Sequence, residues 1–200
     1  MFVKVCGLGT ADDVRVAVES GADAVGFVIY PPSPRHLEPE AARELVAQVP
    51  PSVLSVVVVA EHTAADAARI TREIGADVLQ LHGRYTADDF AVAAREPIRL
   101  WRATSLAHDP DLRVGRYGED VLLLDSPRAG SGETWDAEAL DHRPDGNWLL
   151  AGGLDPDNVG TAVRRVRPWG VDVSSGVESA RGVKDHARIA AFVAAARSLR

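Results

Sequence analysis

Two side chains in this 200-residue sequence have the types and settings of an acid and a base. Cys6 ends the run Phe2-Val3-Lys4-Val5 just before Gly7, and Asp125 ends Val121-Leu122-Leu123-Leu124. A thiol and a carboxyl flanking one substrate would supply the base and acid of a proton-transfer reaction, with no need of a metal. Each residue also has a plain structural role. A free cysteine packs as a small hydrophobe, and an aspartate after a buried strand caps the adjoining loop, here Ser126 to Gly132. Lys4 would favour the thiolate of Cys6 if the two lie close together.

Other groups belong to binding rather than to proton transfer. In the proline-rich Ser33-Pro34-Arg35, a stiffened backbone aims the guanidinium of Arg35 at a carboxylate; otherwise Arg35 is a solvated arginine. His82 is a candidate for a site wall. Ala151-Gly152-Gly153-Leu154-Asp155-Pro156 and Ser174-Ser175-Gly176 have the glycine content that lets backbone N–H groups approach an oxyanion, as phosphate loops require. Gly7-Leu8-Gly9 invites a dinucleotide reading, but Asp12 stands in place of the third glycine and Asp13 adds negative charge.

These residues need a scaffold that gathers strand ends. Short β-type runs begin near Phe2, Ala24, Val53, Asp77, Ile98, Val121, Trp148 and Gly170, spaced as βα units require. Apolar stripes of helical period lie between them at Val14, Ala17 and Val18; at Ala67, Ile70 and Ile74; and at Ile189, Phe192, Val193 and Ala196. Thr10, Thr63 and Asp155 read as N-caps, with Pro39 and Pro156 at first helical positions. From Ala103 to Asp120, Pro110, Gly115 and Gly118 interrupt any helix, so the fifth outer helix is expected to be short or missing. Gly21-Ala22-Asp23, Gly75-Ala76-Asp77 and Gly170-Val171-Asp172 look like a degenerate repeat, each glycine stopping a helix in the left-handed conformation.

Eight such units suit a compact (β/α)8 TIM barrel in the α/β class, one domain over residues 1–200, better than an open sheet of five or six strands. Alternation along each strand then sorts the side chains. Lys4 and Cys6, Gln80 and His82, Val121, Leu123 and Asp125, and Asp172 with Ser174 face the barrel interior; Val3, Val5, Leu79 and Leu81 face the helices.

Composition sets the outer limits. With 46% hydrophobic and 26% charged residues, the chain has the make-up of a soluble globular domain. A net charge of −7 argues against nucleic acid and anionic membranes as partners. One cysteine excludes an intramolecular disulfide framework and any multi-cysteine metal cluster. No run approaches the length of a membrane span and Met1-Phe2-Val3-Lys4 lacks an export layout, so a cytoplasmic location is expected. Monomer and homodimer both remain open.

Taken in order, several segments resemble the phosphoribosylanthranilate isomerase family along nearly the whole chain. They are Lys4-Val5-Cys6-Gly7-Leu8, Gly21-Ala22-Asp23 with Gly26-Phe27, Ser33-Pro34-Arg35, Leu79-Gln80-Leu81-His82-Gly83, Leu124-Asp125, Gly130-Ser131-Gly132, Gly152-Gly153-Leu154, and Val171 to Glu178, with the match running on through Lys184-Asp185. The resemblance implies an Amadori rearrangement in tryptophan biosynthesis, without metal or organic cofactor. Asp125 would protonate the ribose ring oxygen and Cys6 would remove the C2′ proton. Arg35 would hold the anthranilate carboxylate, and Gly152, Gly153, Ser174, Ser175 and Gly176 would take the phosphate. Asp172 and His82 would line the site.

The sequence departs from the family pattern at Gly9, where threonine is common, at Val57-Val58, and at Trp135-Asp136-Ala137. These bear on rim packing and loop closure more than on reaction class. Two rival readings remain. A bifunctional isomerase that also takes the histidine-pathway bisphosphate would need a second anion site, which Val59-Ala60-Glu61-His62-Thr63 provides poorly. A non-catalytic phosphosugar-binding barrel would have little use for Cys6 and Asp125 together.

Overall fold

The computed structural model describes residues 1–109, 111–125 and 143–198; the loop expected from Ser126 to Gly132, Pro110, and Trp135-Asp136-Ala137 lie outside the described residues. Eight parallel strands close into a barrel in chain order, the eighth pairing with the first. They are β1 (Phe2–Cys6), β2 (Ala24–Ile29), β3 (Leu54–Val59), β4 (Val78–His82), β5 (Arg99–Ser105), β6 (Val121–Asp125), β7 (Trp148–Leu150) and β8 (Gly170–Val173). Each starts within one residue of the position expected from sequence. Six helices are described: α1 (Ala11–Glu19), α2 (Pro39–Val46), α3 (Ala64–Ile74), α4 (Ala87–Ala93), α5 (Val159–Val166) and α6 (His186–Arg197). A short antiparallel hairpin, β9 (Glu178–Ala180) with β10 (Val183–Lys184), follows β8.

The predicted alternation is the division of the core. Cys6, Val56, Val58, Trp101, Val121, Leu123 and Leu149 pack inside the barrel, while Val3, Val5, Leu79, Leu81, Leu122 and Leu124 pack between strands and helices. Phe2 stacks on Trp169 at 4.5 Å and meets Trp101 edge-on at 6.1 Å, so aromatic rings fill the N-terminal end and leave the C-terminal end open.

Helix starts follow their side-chain chemistry. Thr10 and Asp13 form a reciprocal capping box on α1, and Thr63 accepts from the Asp66 N–H on α3. Asp155 accepts from the N–H groups of Asp157 and Asn158, while Asn158 Oδ1 accepts from the Asp155 N–H. That box caps a leading turn, and regular helix begins only at Val159, three residues beyond Pro156.

The repeated Gly-Ala-Asp signal is partly corrected. Gly21 and Gly75 are left-handed, at φ 95° and 81°. Gly170 is not; α5 ends instead on Arg167 at φ 53°. Gly170 is required by contact, because a Cβ there would lie 2.6 Å from Leu149 Cδ2 and from the Phe2 carbonyl oxygen. The aspartates of the other two copies tie neighbouring strands together at the closed end. Asp23 accepts from the Val3 N–H, and Asp77 accepts from both the N–H and the hydroxyl of Ser55. Asp120 repeats the device with the Leu100 N–H.

No regular helix joins β5 to β6 among the described residues, as the glycines of that stretch suggested. The place is taken by a polar knot. Arg102 points outward from β5, only 3% exposed, and donates to Glu119, Asp109, and the carbonyls of Asp111 and Arg113. Tyr117 lies against its guanidinium at 4.8 Å and reaches Phe90 of α4.

Asp77 carries two bonds to Ser55 far from the open end, so Asp77→Ala is expected to cost about 1–3 kcal/mol in urea unfolding while leaving ligand binding at the open end unchanged.

Candidate active site

The strand ends surround a cavity of about 790 Å³ at the C-terminal mouth. Cys6 at the end of β1 and Asp125 at the end of β6 both line it, as do Arg35, His82 and Asp172. The loops after β7 and β8 bring Gly152, Gly153, Ser174 and Ser175 to its rim. Gly176 differs from expectation, since it does not line the cavity. A Cβ at Gly176 would fall 1.8 Å from the Leu154 carbonyl oxygen, so this glycine lets the two rim loops touch.

Those rim loops have the geometry of an anion cradle. Gly152 and Gly153 are left-handed in succession, at φ 86° and 65°, a backbone path that favours glycine. Asn158 Nδ2 donates to the Gly153 carbonyl and turns it inward to the loop. Among the described residues, the N–H groups of Gly153 and Ser175 donate to no protein acceptor. Unpaired N–H groups on glycine-bearing loops are what a phosphate dianion needs.

Cys6 sits in a constrained niche. Its strand neighbour in register is Gly26, where a Cβ would lie 2.8 Å from Sγ, so the sulfur occupies space left by a missing side chain. Burial pushes the Cys6 thiol above its usual range; Lys4 opposes this, Asp172 reinforces it and Lys184 opposes it. Lys4 does act in the direction expected from sequence, but desolvation outweighs it and keeps the thiol protonated at neutral pH. Lys4 itself is fully buried, its Nζ 2.7 Å from Asp172 Oδ1. Burial would drive that ammonium down, yet Asp172 and Cys6 outweigh it and raise it. His82 opens onto the mouth; desolvation by the surrounding barrel and then the Lys4 charge hold its imidazole below its usual range, hence neutral at neutral pH.

Arg35 is held rather than free. Its Nε and Nη2 donate to the two carboxylate oxygens of Glu178, at 2.5 and 2.8 Å, which leaves the end of the guanidinium carrying Nη1 toward other acceptors. Its stem passes over Gly7, where a Cβ would lie 2.6 Å from Arg35 Cδ. Glu178 also accepts from Lys184 Nζ at 2.9 Å and from the Gly182 N–H. Desolvation would raise its pKa, but Arg35, Lys184 and Gly182 together lower it, so it stays ionised. Lys184 donates further to the Ser174 carbonyl at 2.8 Å, linking the arginine to a rim loop.

Sequence reasoning gave no role to Glu178, Lys184, Gly26 or Gln80. Glu178 and Lys184 lie in the stretch that carried the family resemblance, but their pairing across a hairpin has no signal in spacing alone. His186, by contrast, pairs with the Asp13 cap on the outer surface and belongs to the fold.

A closed parallel barrel whose open end carries a thiol, a carboxyl and a pair of glycine-bearing rim loops belongs to the (β/α)8 enzymes that work at their strand ends. The family model described as N-(5′-phosphoribosyl)anthranilate (PRA) isomerase matches residues 3–195, and the chain belongs to this family. It is 43% identical to N-(5′-phosphoribosyl)anthranilate isomerase of Dechloromonas aromatica over 98% of this chain and 95% of that one. Among solved structures, it is similar to TrpF of Jonesia denitrificans, with TM-score 0.93, 57% identity, and coverage of 100% of this chain and 98% of the other. A phosphoribosyl anthranilate isomerase in complex with reduced 1-(o-carboxyphenylamino)-1-deoxyribulose 5-phosphate matches at TM-score 0.84 and 35% identity, with 100% of both chains covered.

Cys6 is the sole cysteine, so alkylation reads one site. In the ligand-free protein, its reaction with iodoacetamide should climb only as pH passes the ordinary thiol range. A rate already at its plateau near neutral pH would mean that the thiolate is preformed.

Proposed function

We propose that this chain isomerises N-(5′-phosphoribosyl)anthranilate to 1-(2-carboxyphenylamino)-1-deoxyribulose 5-phosphate, the aldose-to-ketose step of tryptophan biosynthesis, through Asp125 and Cys6. The reading is supported above all by the placement of a thiol and a carboxyl on a single cavity whose rim carries unpaired backbone donors. Residues 1–200 work as one domain in this reading, on a small phosphosugar rather than on nucleic acid or a membrane, and in the cytoplasm. Among the described residues no helix is long and apolar enough to cross a membrane.

The phosphate seats on the N–H groups of Gly153 and Ser175, with Gly152 and Ser174 shaping the loops and Gly176 holding them together. Arg35, braced by Glu178, turns its remaining edge to the anthranilate carboxylate. Asp125 is the group that gives a proton to the ribose ring oxygen; the C1′–O bond breaks as the anilino nitrogen lone pair forms a protonated Schiff base. This cation changes the electrostatics of a site in which desolvation had kept Cys6 protonated. A positive charge beside Sγ favours ionisation: the thiol gives its proton to water, and the thiolate so formed takes the one on C2′. The C2′–H electrons form the enolamine double bond and neutralise the iminium nitrogen. Tautomerisation to the ketone follows. Asp172 keeps Lys4 paired beneath the sulfur, and neutral His82 lines the wall.

The monophosphate is the substrate. On the side of the mouth that a second phosphate would occupy, the β3 loop carries Glu61 at φ 64°, a carboxylate held in left-handed backbone, and Glu61 acts on Tyr30, a cavity residue whose phenol burial and Glu61 together push up. Negative charge there repels a second anion.

Incubating the purified protein with phosphoribosylanthranilate and following loss of substrate fluorescence should show turnover; binding without product would favour a non-catalytic phosphosugar barrel. Cys6→Ala and Asp125→Asn should each lower kcat by roughly 10²–10⁴ with unchanged unfolding midpoints, and wild-type rates in either would remove that residue from the mechanism. The histidine-pathway bisphosphate should not be converted; turnover comparable to the monophosphate would make the enzyme bifunctional.

A further inference from the structure

The floor of the cavity holds a polar group that the protein itself leaves unused. Gln80 projects from β4 into the barrel, 2% exposed, and lines the cavity one inward position below His82. Among the described residues its Oε1 is buried without a hydrogen-bond partner. Its partners in strand register are Val58 and Trp101, both apolar and both buried in the barrel interior. A leucine or methionine of similar length would suit that layer better, because an unpaired amide in such surroundings costs stability.

We infer that Gln80 is a specificity-determining residue that grips the sugar of the substrate, its amide paired with a ribose hydroxyl that takes no part in the isomerisation. The inference rests on the proposed function and adds to it a residue for the one part of the substrate still without a partner. The rim N–H groups serve the phosphate, Arg35 the carboxylate, and Cys6 and Asp125 the reacting atoms, which leaves the hydroxyls in the middle. An amide supplies one acceptor and two donors on a single rigid plane, and a hydroxyl answers it by donating and accepting at once. A site with a buried polar group made for a hydroxyl discriminates strongly against a ligand lacking it.

The test is Gln80→Leu, assayed with the ribosyl substrate and with its 3′-deoxy counterpart, formed by condensing anthranilate with ribose 5-phosphate or 3-deoxyribose 5-phosphate. The variant should unfold at the same temperature as wild type or higher, because it removes a buried unpaired amide, while kcat/KM for the ribosyl substrate falls about ten- to a hundredfold. For the 3′-deoxy substrate the two proteins should be nearly equal, as a double cycle on a direct contact requires. A kcat/KM within twofold of wild type, an equal loss on both substrates, or a lowered unfolding temperature would each overturn the inference. Calorimetric binding of reduced 1-(o-carboxyphenylamino)-1-deoxyribulose 5-phosphate separates it from the functional reading. Weaker binding by Gln80→Leu supports the contact even where wild type shows no turnover, and equal binding by the two proteins rejects it even where wild type is fully active.

Discussion

Lys4 and Asp172 face each other in register across the seam where the last strand meets the first, and their 2.7 Å ion pair is buried within the barrel. Two desolvated charges are a poor source of net stability, but removing either partner strands the other in a medium that cannot solvate it. The pair therefore ties two requirements together. Closure of the barrel must bring β8 to β1 with Asp172 opposite Lys4, and that same register carries Cys6 and Ser174, each two residues further along, to the mouth together. A one-residue slip would turn every inward side chain on the strand toward the helices.

From that seam a second chain of charges runs along the rim. Lys184 bonds the Ser174 carbonyl and Glu178, and Glu178 grips Arg35 from the loop after β2. The hairpin carrying Glu178 and Lys184 thereby connects the rim loop after β8 to Arg35 in the loop after β2. Cys6 and Asp125 line the cavity between them, where burial holds the thiol above its usual range.

Much of this was legible in residue types and period. Strand starts, inward parity and the caps at Thr10 and Thr63 depend on local steric and hydrogen-bonding rules, and the structure follows them. What period could not supply were balances between opposing terms and contacts between distant segments. Lys4 does favour the thiolate, yet only coordinates reveal that burial exceeds it. Glycine is ambiguous in sequence: Gly75 is needed for its φ, Gly170 and Gly176 for close approach, and the three look alike on paper. In sequence Arg35 reads as aimed at a carboxylate or else solvated, and its brace is a carboxylate 143 positions away that spacing could not reveal. Gln80 was placed inside the barrel correctly, but its lack of a partner is a property of the whole surrounding layer.

The knot around Arg102 stands where most units of this fold place an apolar helix. The stretch between β5 and β6 owes its shape to a guanidinium that receives a separate acceptor from Glu119, Asp109, Asp111 and Arg113. Hydrophobic packing degrades gradually as methylenes are trimmed, whereas a planar fork is either seated or not. Order along that flank thus centres on one side chain, and a lysine, with the same charge but no fork, could not meet that set of acceptors at once.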